Sequence, residues 1–232
     1  MRVAIMQPYF LPYVGYFQLI AAVDLFILYD NIKYTKKGWI NRNRMLQNGK
    51  DVMFSLPLKN DSDYLDVCER ELASEFNRSK LLNQIKGAYR RAPYFDHAYP
   101  LVEEIVQFND TNLFRFLHHS IVKVCTYLDI STEIKVSSNI AINHDLKNQE
   151  KVLALCEAVG ASTYVNAMGG TALYSREAFL EKGIDLKFIQ SNSFEYPQFE
   201  GEFQPWLSII DVMMFNSVET VQACISSNYE LI

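Results

Sequence analysis

Five cations fall between Lys33 and Arg44 of a chain that is acidic overall: Lys33, Lys36, Lys37, Arg42 and Arg44. Tyr34 and Trp39 are interleaved with them. Guanidinium and ammonium groups bind phosphate oxygens, and aromatic faces stack on flat rings. The set suits a nucleotide or a nucleotide-linked sugar; the bland alternative is a solvated cationic loop. Asp30, just upstream at the end of an apolar run, could serve as a general base or anchor a ligand. Gln7 and Tyr9 follow the first apolar run. A side-chain amide and a phenol both donate and accept hydrogen bonds, so the pair could orient a sugar. Alternatively, Gln7 satisfies loop backbone.

Other titratable groups are scattered. His144 in Asn143-His144-Asp145 could act as a base beside Asp145, or be an ordinary turn histidine. His97, His118 and His119 have no evident partner. Asp211 sits in a strongly apolar stretch; a buried acid is paired or carries a raised pKa, so it is either structural or functional. Tyr196-Pro-Gln198 and Gln204-Pro205 stand in a polar, aromatic loop before it. There is no P-loop, no G-x-G-x-x-G and no Ser-His-Asp order.

The elements that must position these groups read as α/β. Val3 to Met6 and Leu25 to Tyr29 are apolar runs, as expected of strands covered on both faces. Pro8 and Pro12 keep the intervening loop out of helix, and Gly15 opens a short helix from Tyr16 to Val23. Val52 to Leu58 reads as a third strand. From Val67 to Leu128 the period changes to helical, with Leu113, Phe116, Leu117, Ile121 and Val124 as one example. Asp110-Thr-Asn supplies capping side chains for that last helix. Strand alternation returns over Glu133 to Ile142. A helix from Gln149 to Val159 stops at Gly160, followed by a strand Thr163 to Asn166 and a flexible turn at Gly169-Gly170. Ser175 to Glu181 reads as a helix, Leu186 to Ile189 as a strand, and Trp206 to Phe215 and Val218 to Ile225 as final helices.

This order predicts one α/β domain over residues 1–232 with a mostly parallel, Rossmann-like sheet, and an all-helical insertion or subdomain over 65–130. Ligands of such sheets bind beyond the carboxyl ends of the strands. That brings Gln7, Asp30, Asn166 with Gly169 and Gly170, and Gln190 toward one edge.

The chain has 232 residues, 49% hydrophobic and 21% charged, with net charge −5 and pI near 5.4. Such a balance argues against nucleic acid or anionic membrane as a general partner. Cys68, Cys125, Cys156 and Cys224 form no C-x-x-C pair and lack histidines at zinc-ligand spacing, which predicts reduced thiols and no metal. No apolar stretch reaches the about 20 residues that span a bilayer, and no signal peptide is visible. The expectation is a cytoplasmic protein without membrane insertion.

Taken together, the residues resemble the WbqC-like proteins. The likeness runs through Ala4-Ile-x-Gln-Pro-x-x-x-Pro-x-x-Gly-Tyr-Phe17, Asp24-x-Phe-Ile-x-x-Asp30, Tyr34, Lys36, Trp39, Asn41-Arg-Asn-Arg44 and Ala92-Pro-Tyr-Phe95. It continues through Tyr164-x-Asn166, Gly169-Gly170, Tyr196-x-Gln198 and Pro205-x-Leu-Ser-Ile-Ile-Asp211, essentially the whole chain. Similar proteins often carry Gln where Lys33 stands. The resemblance implies work in bacterial surface-polysaccharide or O-antigen biosynthesis. It places Tyr16, Asn41, Arg42, Asn43, Arg44, Asn166, Gly169, Gly170, Tyr196, Gln198 and Asp211 among candidate binding residues beside Gln7, Tyr34, Lys36, Lys37 and Trp39. Asp30, His144 and Tyr9 are the candidate catalytic groups.

By the logic of such pathways, the expected activity is transfer of an acyl or aminoacyl group to the amine of a nucleotide-linked sugar. The donor would be a co-substrate (acyl-CoA, an acyl-carrier protein or an aminoacyl donor), with no tightly bound cofactor; a homodimer stays open. A weaker likeness is to the nucleotidylyltransferase start, where H-x-G-H holds phosphates. Tyr13-Val14-Gly15-Tyr16 occupies that place here without either histidine. An adenylate-forming or nucleotidylyltransferase-like enzyme, and a non-catalytic nucleotide-sugar binder, are the alternatives.

Overall fold

Apolar runs set the central sheet. The computed structural model describes residues 1–232. In it, β1 (Arg2–Met6), β2 (Leu25–Leu28), β5 (Glu133–Val136), β6 (Thr163–Ala167), β7 (Asp185–Ser191) and β8 (Tyr229–Leu231) form one six-stranded sheet in the order β5-β2-β1-β6-β7-β8. The first five pair in parallel, and only β8 runs antiparallel. Counted within this sheet alone, the order is 3-2-1-4-5-6, the doubly wound arrangement whose direction reverses beside the first strand. The crevice at that reversal lies between the loops leaving β1 and β6.

Alternation along each strand sorts side chains to opposite faces. Ala4, Phe26, Leu28, Val165 and Ile189 face the larger core, with α1 (Val14–Ala21), α8 (Val218–Ser227) and the helices of the middle of the chain. Val3, Ile5, Leu25, Ile27, Leu186 and Phe188 face a smaller core under α5 (Asn148–Ala158) and α6 (Arg176–Glu181). No helix is long and apolar enough to cross a membrane.

The middle of the chain carries α2 (Arg78–Tyr89), α3 (Phe95–Gln107) and α4 (Leu113–Tyr127). Asn112 caps α4, its Oδ1 accepting from the Arg115 N–H at 2.9 Å. Ahead of α2, residues 65–77 are extended around one 3-10 turn, Val67–Glu69. The apolar faces of α2 to α4 share one continuous core with α1 and α7 (Ile209–Phe215).

Several expectations are corrected. The strand read at Val52 to Leu58 is β4 (Lys50–Ser55); it lies outside the main sheet and pairs antiparallel with β3 (Arg42–Gln47). Arg42, Asn43 and Arg44 therefore lie on a strand and not in a loop. The strand expected to reach Ile142 stops at Val136, because Asp30 captures Ser137 and Ser138 and turns the chain into a 3-10 turn, Ser137–Asn139. Gly169 and Gly170 sit in a 3-10 helix, Met168–Leu173. The helix read from Trp206 begins only at Ile209, since Ser208 caps it and Trp206 has a left-handed φ of 59°.

Candidate functional site

The loop leaving β1 is held between two distant parts of the chain. Phe10 N–H donates to Ile40 O at 3.0 Å. Asn43, buried on β3, donates from Nδ2 to Phe10 O at 3.2 Å and Leu11 O at 2.9 Å. From the other side Ser208 Oγ donates to Leu11 O at 2.7 Å, and Ile209 N–H to Pro12 O at 2.9 Å. Backbone groups that a loop would otherwise leave to water are thus satisfied by the Asn43 side chain of β3, the backbone of Ile40, and the Ser208 cap and first N–H of α7. Leu11 is held at φ 44° between these two supports.

This arrangement opens a cleft of about 240 Å³ walled by Tyr9, Pro12, Tyr13, Trp39, Asn43, Arg44 and Trp206. The protein has two tryptophans, and both line it. Trp39 is 40% and Trp206 61% exposed, high values for such large apolar rings. Arg44 ties the two walls together. Its guanidinium lies 5.6 Å from the Trp39 ring centre, and one terminal nitrogen donates to Trp206 O at 3.2 Å. The other pairs with Asp51 at 3.0 Å, while the buried Nε–H has no partner. Tyr13 meets Trp206 edge-on at 5.9 Å between ring centres. Its ring lies across Gly15, where a Cβ would come within 2.4 Å of it, so the glycine of Tyr13-x-Gly15 gives the ring its seat.

Tyr9 stacks at a tilt on Tyr16, 5.6 Å between centres. Burial, reinforced by Tyr13, pushes the Tyr9 phenol above its usual pKa, so it is a hydrogen-bond donor at neutral pH. Tyr16 itself is buried in the core and donates to Gln7 O at 2.9 Å, supporting the loop from beneath. The side-chain amide of Gln7 is half-buried and makes no hydrogen bond within the chain, which leaves it free for a ligand.

Other expected site residues lie elsewhere. Tyr34 donates to Asn41 Oδ1 at 2.8 Å, and Asn41 Nδ2 donates to Leu56 O at 2.8 Å, so both are engaged in tying β4 to the preceding loop. With Lys36 and Arg70 they line a separate polar groove. Lys36 pairs with Asp63, Lys37 is exposed, Lys33 lies over the Tyr64 ring, and Arg42 Nε donates to Gly38 O at 2.9 Å. Of the five cations, Arg44 is the one that lines the aromatic cleft.

Asp30 is 2% exposed at the end of β2. Its Oδ1 accepts from Ser137 Oγ at 2.7 Å and Ser138 N–H at 2.9 Å; Oδ2 accepts from Ser138 Oγ at 2.7 Å. The carboxylate welds the ends of β2 and β5. Asn31 continues the network, with its Nδ2 2.9 Å from His144 Nδ1, while His144 Nε2 meets Ile140 O at 3.0 Å. Both ring nitrogens are occupied. Lys151 on α5, buried, donates to Asn31 O at 3.1 Å and lies over the Tyr29 ring; burial, then Lys147, lowers its pKa.

Asn166 ends β6, its Oδ1 accepting from Ala167 N–H at 2.8 Å. A Cβ on Gly170 would lie 2.3 Å from its Nδ2, so this close approach requires glycine. Gly169, beside it, has open space where its Cβ would be.

Asp211 is fully buried on α7 and accepts from Tyr89 OH at 2.8 Å, Tyr196 OH at 2.7 Å and Gln198 Nε2 at 2.6 Å. Burial raises its pKa against the three hydrogen bonds. Gln198 also closes its own loop, donating to Gln204 O and accepting from Gln204 N–H at 2.7 Å. The node anchors the segment that presents Trp206. Tyr13 and Trp206 are cleft residues that sequence reasoning does not single out for binding. The one signal for Trp206 is its place after Gln204-Pro205, where a packed helix start does not call for a tryptophan.

A doubly wound α/β protein whose first-strand loop builds an aromatic cleft is the class these observations define. Residues 7–223 match the WbqC-like protein family, and the chain belongs to it. The chain is also similar to the protein named "Uncharacterized protein Rv1507c" of Mycobacterium tuberculosis (strain ATCC 25618 / H37Rv), 28% identical over 218 residues that cover 93% of each chain. No solved structure matches it.

Proposed function

We propose that the chain is an enzyme of bacterial surface-polysaccharide biosynthesis that binds a nucleotide-linked amino sugar and transfers an acyl group to its amine. The observation that carries the reading is the cleft at the β1 loop, where Arg44, Trp39 and Trp206 stand together beside Tyr9 and Tyr13. A guanidinium suits the diphosphate and aromatic faces suit the base or sugar ring.

In the reaction the amine lone pair attacks the carbonyl carbon of an acyl thioester. The tetrahedral intermediate collapses as the C–S bond breaks, the thiolate leaves, and the proton lost by nitrogen passes to water in the open cleft. In this reading Tyr9, which walls the cleft, supplies the hydrogen bond to the developing oxyanion. Asp30 and His144 act in this reading through posture: they hold Asn31 and the ends of β2 and β5.

The test is intrinsic fluorescence, because both tryptophans line the cleft. UDP- and dTDP-linked amino hexoses are expected to quench or shift the emission saturably and to raise the melting temperature by mass action. No response to any nucleotide-linked sugar sinks the reading. A second reading, a binding protein without chemistry of its own, is favoured by the occupied acceptors of Asp30 and His144. It predicts the same fluorescence response but no acylated product from any thioester.

A further inference from the structure

On the other side of the Tyr13–Trp206 pair lies a second pocket, of about 60 Å³, open to solvent between the exposed Asn192, Ser193 and Pro205. Tyr13 and Trp206 line both spaces, so the pair forms a shared partition. The two compartments differ in chemistry. The cleft has Arg44; of the twelve residues around the second pocket eight are hydrophobic and none is charged. Phe194, Phe203, Leu207 and Val212 supply apolar wall, with Ser191 and Ser193 as polar groups at its edge.

We infer that this second pocket is the acyl-donor subsite, and that it takes a short, uncharged acyl chain and excludes an aminoacyl group. The inference rests on the transferase reading above and narrows its substrate. Size sets the length: a water-sized group needs about 10–15 Å³ of such volume, so the cavity holds roughly four to six non-hydrogen atoms. That is an acyl group of about four carbons. Charge sets the kind: no carboxylate lines this pocket, so an α-ammonium entering it would give up water without gaining a charged partner, whereas an alkyl chain meets apolar wall. Strain supports a working partition. Trp206 is held at φ 59° while remaining largely exposed, and a bulky residue persists in that conformation only where its surroundings enforce it. Arg44 bonds its carbonyl, and the Asp211 node fixes the segment before it.

The experiment uses the full chain labelled with 5-fluorotryptophan, which gives two fluorine resonances, assigned through Trp39→Phe. The probes are S-acyl-N-acetylcysteamine thioesters from acetyl to octanoyl, with the alanyl thioester as the charged case. Butyryl is expected to move the Trp206 resonance and leave that of Trp39, with octanoyl and alanyl at least tenfold weaker. Phe203→Ala should move the preferred length to hexanoyl or beyond; Val14→Leu, which narrows the cavity from α1, should weaken butyryl and spare acetyl. Silence of Trp206 toward every thioester, both resonances moving together, or an alanyl probe binding as well as butyryl would overturn the inference. A nucleotide-linked sugar that moves neither resonance instead defeats the cleft reading, so the two failures are told apart.

Discussion

Two corners of the same sheet edge treat their polar side chains in opposite ways. At the ends of β2 and β5, Asp30, Asn31, Ser137, Ser138 and His144 satisfy one another until no acceptor on Asp30 or His144 faces a ligand unaccompanied. At the loop after β1, Gln7 keeps an unbonded amide, Arg44 keeps a buried Nε–H without a partner, and two tryptophans stay exposed. Both corners contain residue types associated with chemistry. The first spends them on position, and the second leaves them available. A buried polar group that is fully bonded stabilises its surroundings, whereas one held ready for a ligand costs stability and has to be supported from elsewhere.

Mutations separate the two corners most sharply in stability. Asp30→Ala strands the Ser138 hydroxyl and backbone N–H and leaves Ser137 only Asn31, and is expected to cost about 3 kcal/mol in urea unfolding. Full stability in that variant, with ligand binding lost, would reverse the assignment of the corners. Arg44→Met should do the opposite. Its ion pair with Asp51 is half-exposed and contributes less than about 1 kcal/mol. Nucleotide-sugar affinity, measured by tryptophan fluorescence, should fall about 10- to 100-fold with the loss of charge-assisted bonds.

The Asp211 node, a second closed carboxylate, gives a pH signature. Its pKa is raised by burial above the ordinary 3.8. Folded chains therefore hold this proton more tightly than unfolded ones. The group's contribution is present in full below the ordinary carboxylate value and is lost as pH rises from there through the folded value. Each pH unit of that window is worth about 1.4 kcal/mol. Asp211→Asn should flatten this part of the stability–pH curve; an unchanged slope would show that the acid is not held as the geometry indicates. Trp206→Asn should alter stability by only about 0.5 kcal/mol, since asparagine tolerates a left-handed φ, yet reduce ligand affinity roughly tenfold. His144→Ala is the smallest effect on binding: about 1 kcal/mol of stability is lost with two hydrogen bonds, and ligand affinity stays unchanged by calorimetry.

Much of the scaffold is legible in the order of residues. Val3 to Met6 and Leu25 to Tyr29 are apolar throughout, and a strand buried on both faces is what such runs form. Gly160, with φ 72°, follows the end of its helix as the pattern of Gln149 to Val159 requires. The grouping of Tyr9, Trp39, Asn43 and Arg44 is partly visible as density of type along one stretch. The scatter of Lys36, Lys37 and Arg42 is not, because Lys36 is drawn to Asp63, 27 residues on, Lys37 stays exposed and Arg42 turns back to Gly38 O.

Sequence alone determined the α/β order and the parallel sheet, since these follow from periodicity and from where proline and glycine interrupt it. Tertiary structure decided which polar groups remain free. Asp30 meets Ser137 and Ser138 across more than a hundred residues, and Arg44 meets Trp206 across 162. Hydrogen-bond satisfaction is a property of partners, and partners so distant in the chain are chosen by the packing of the sheet and its helices.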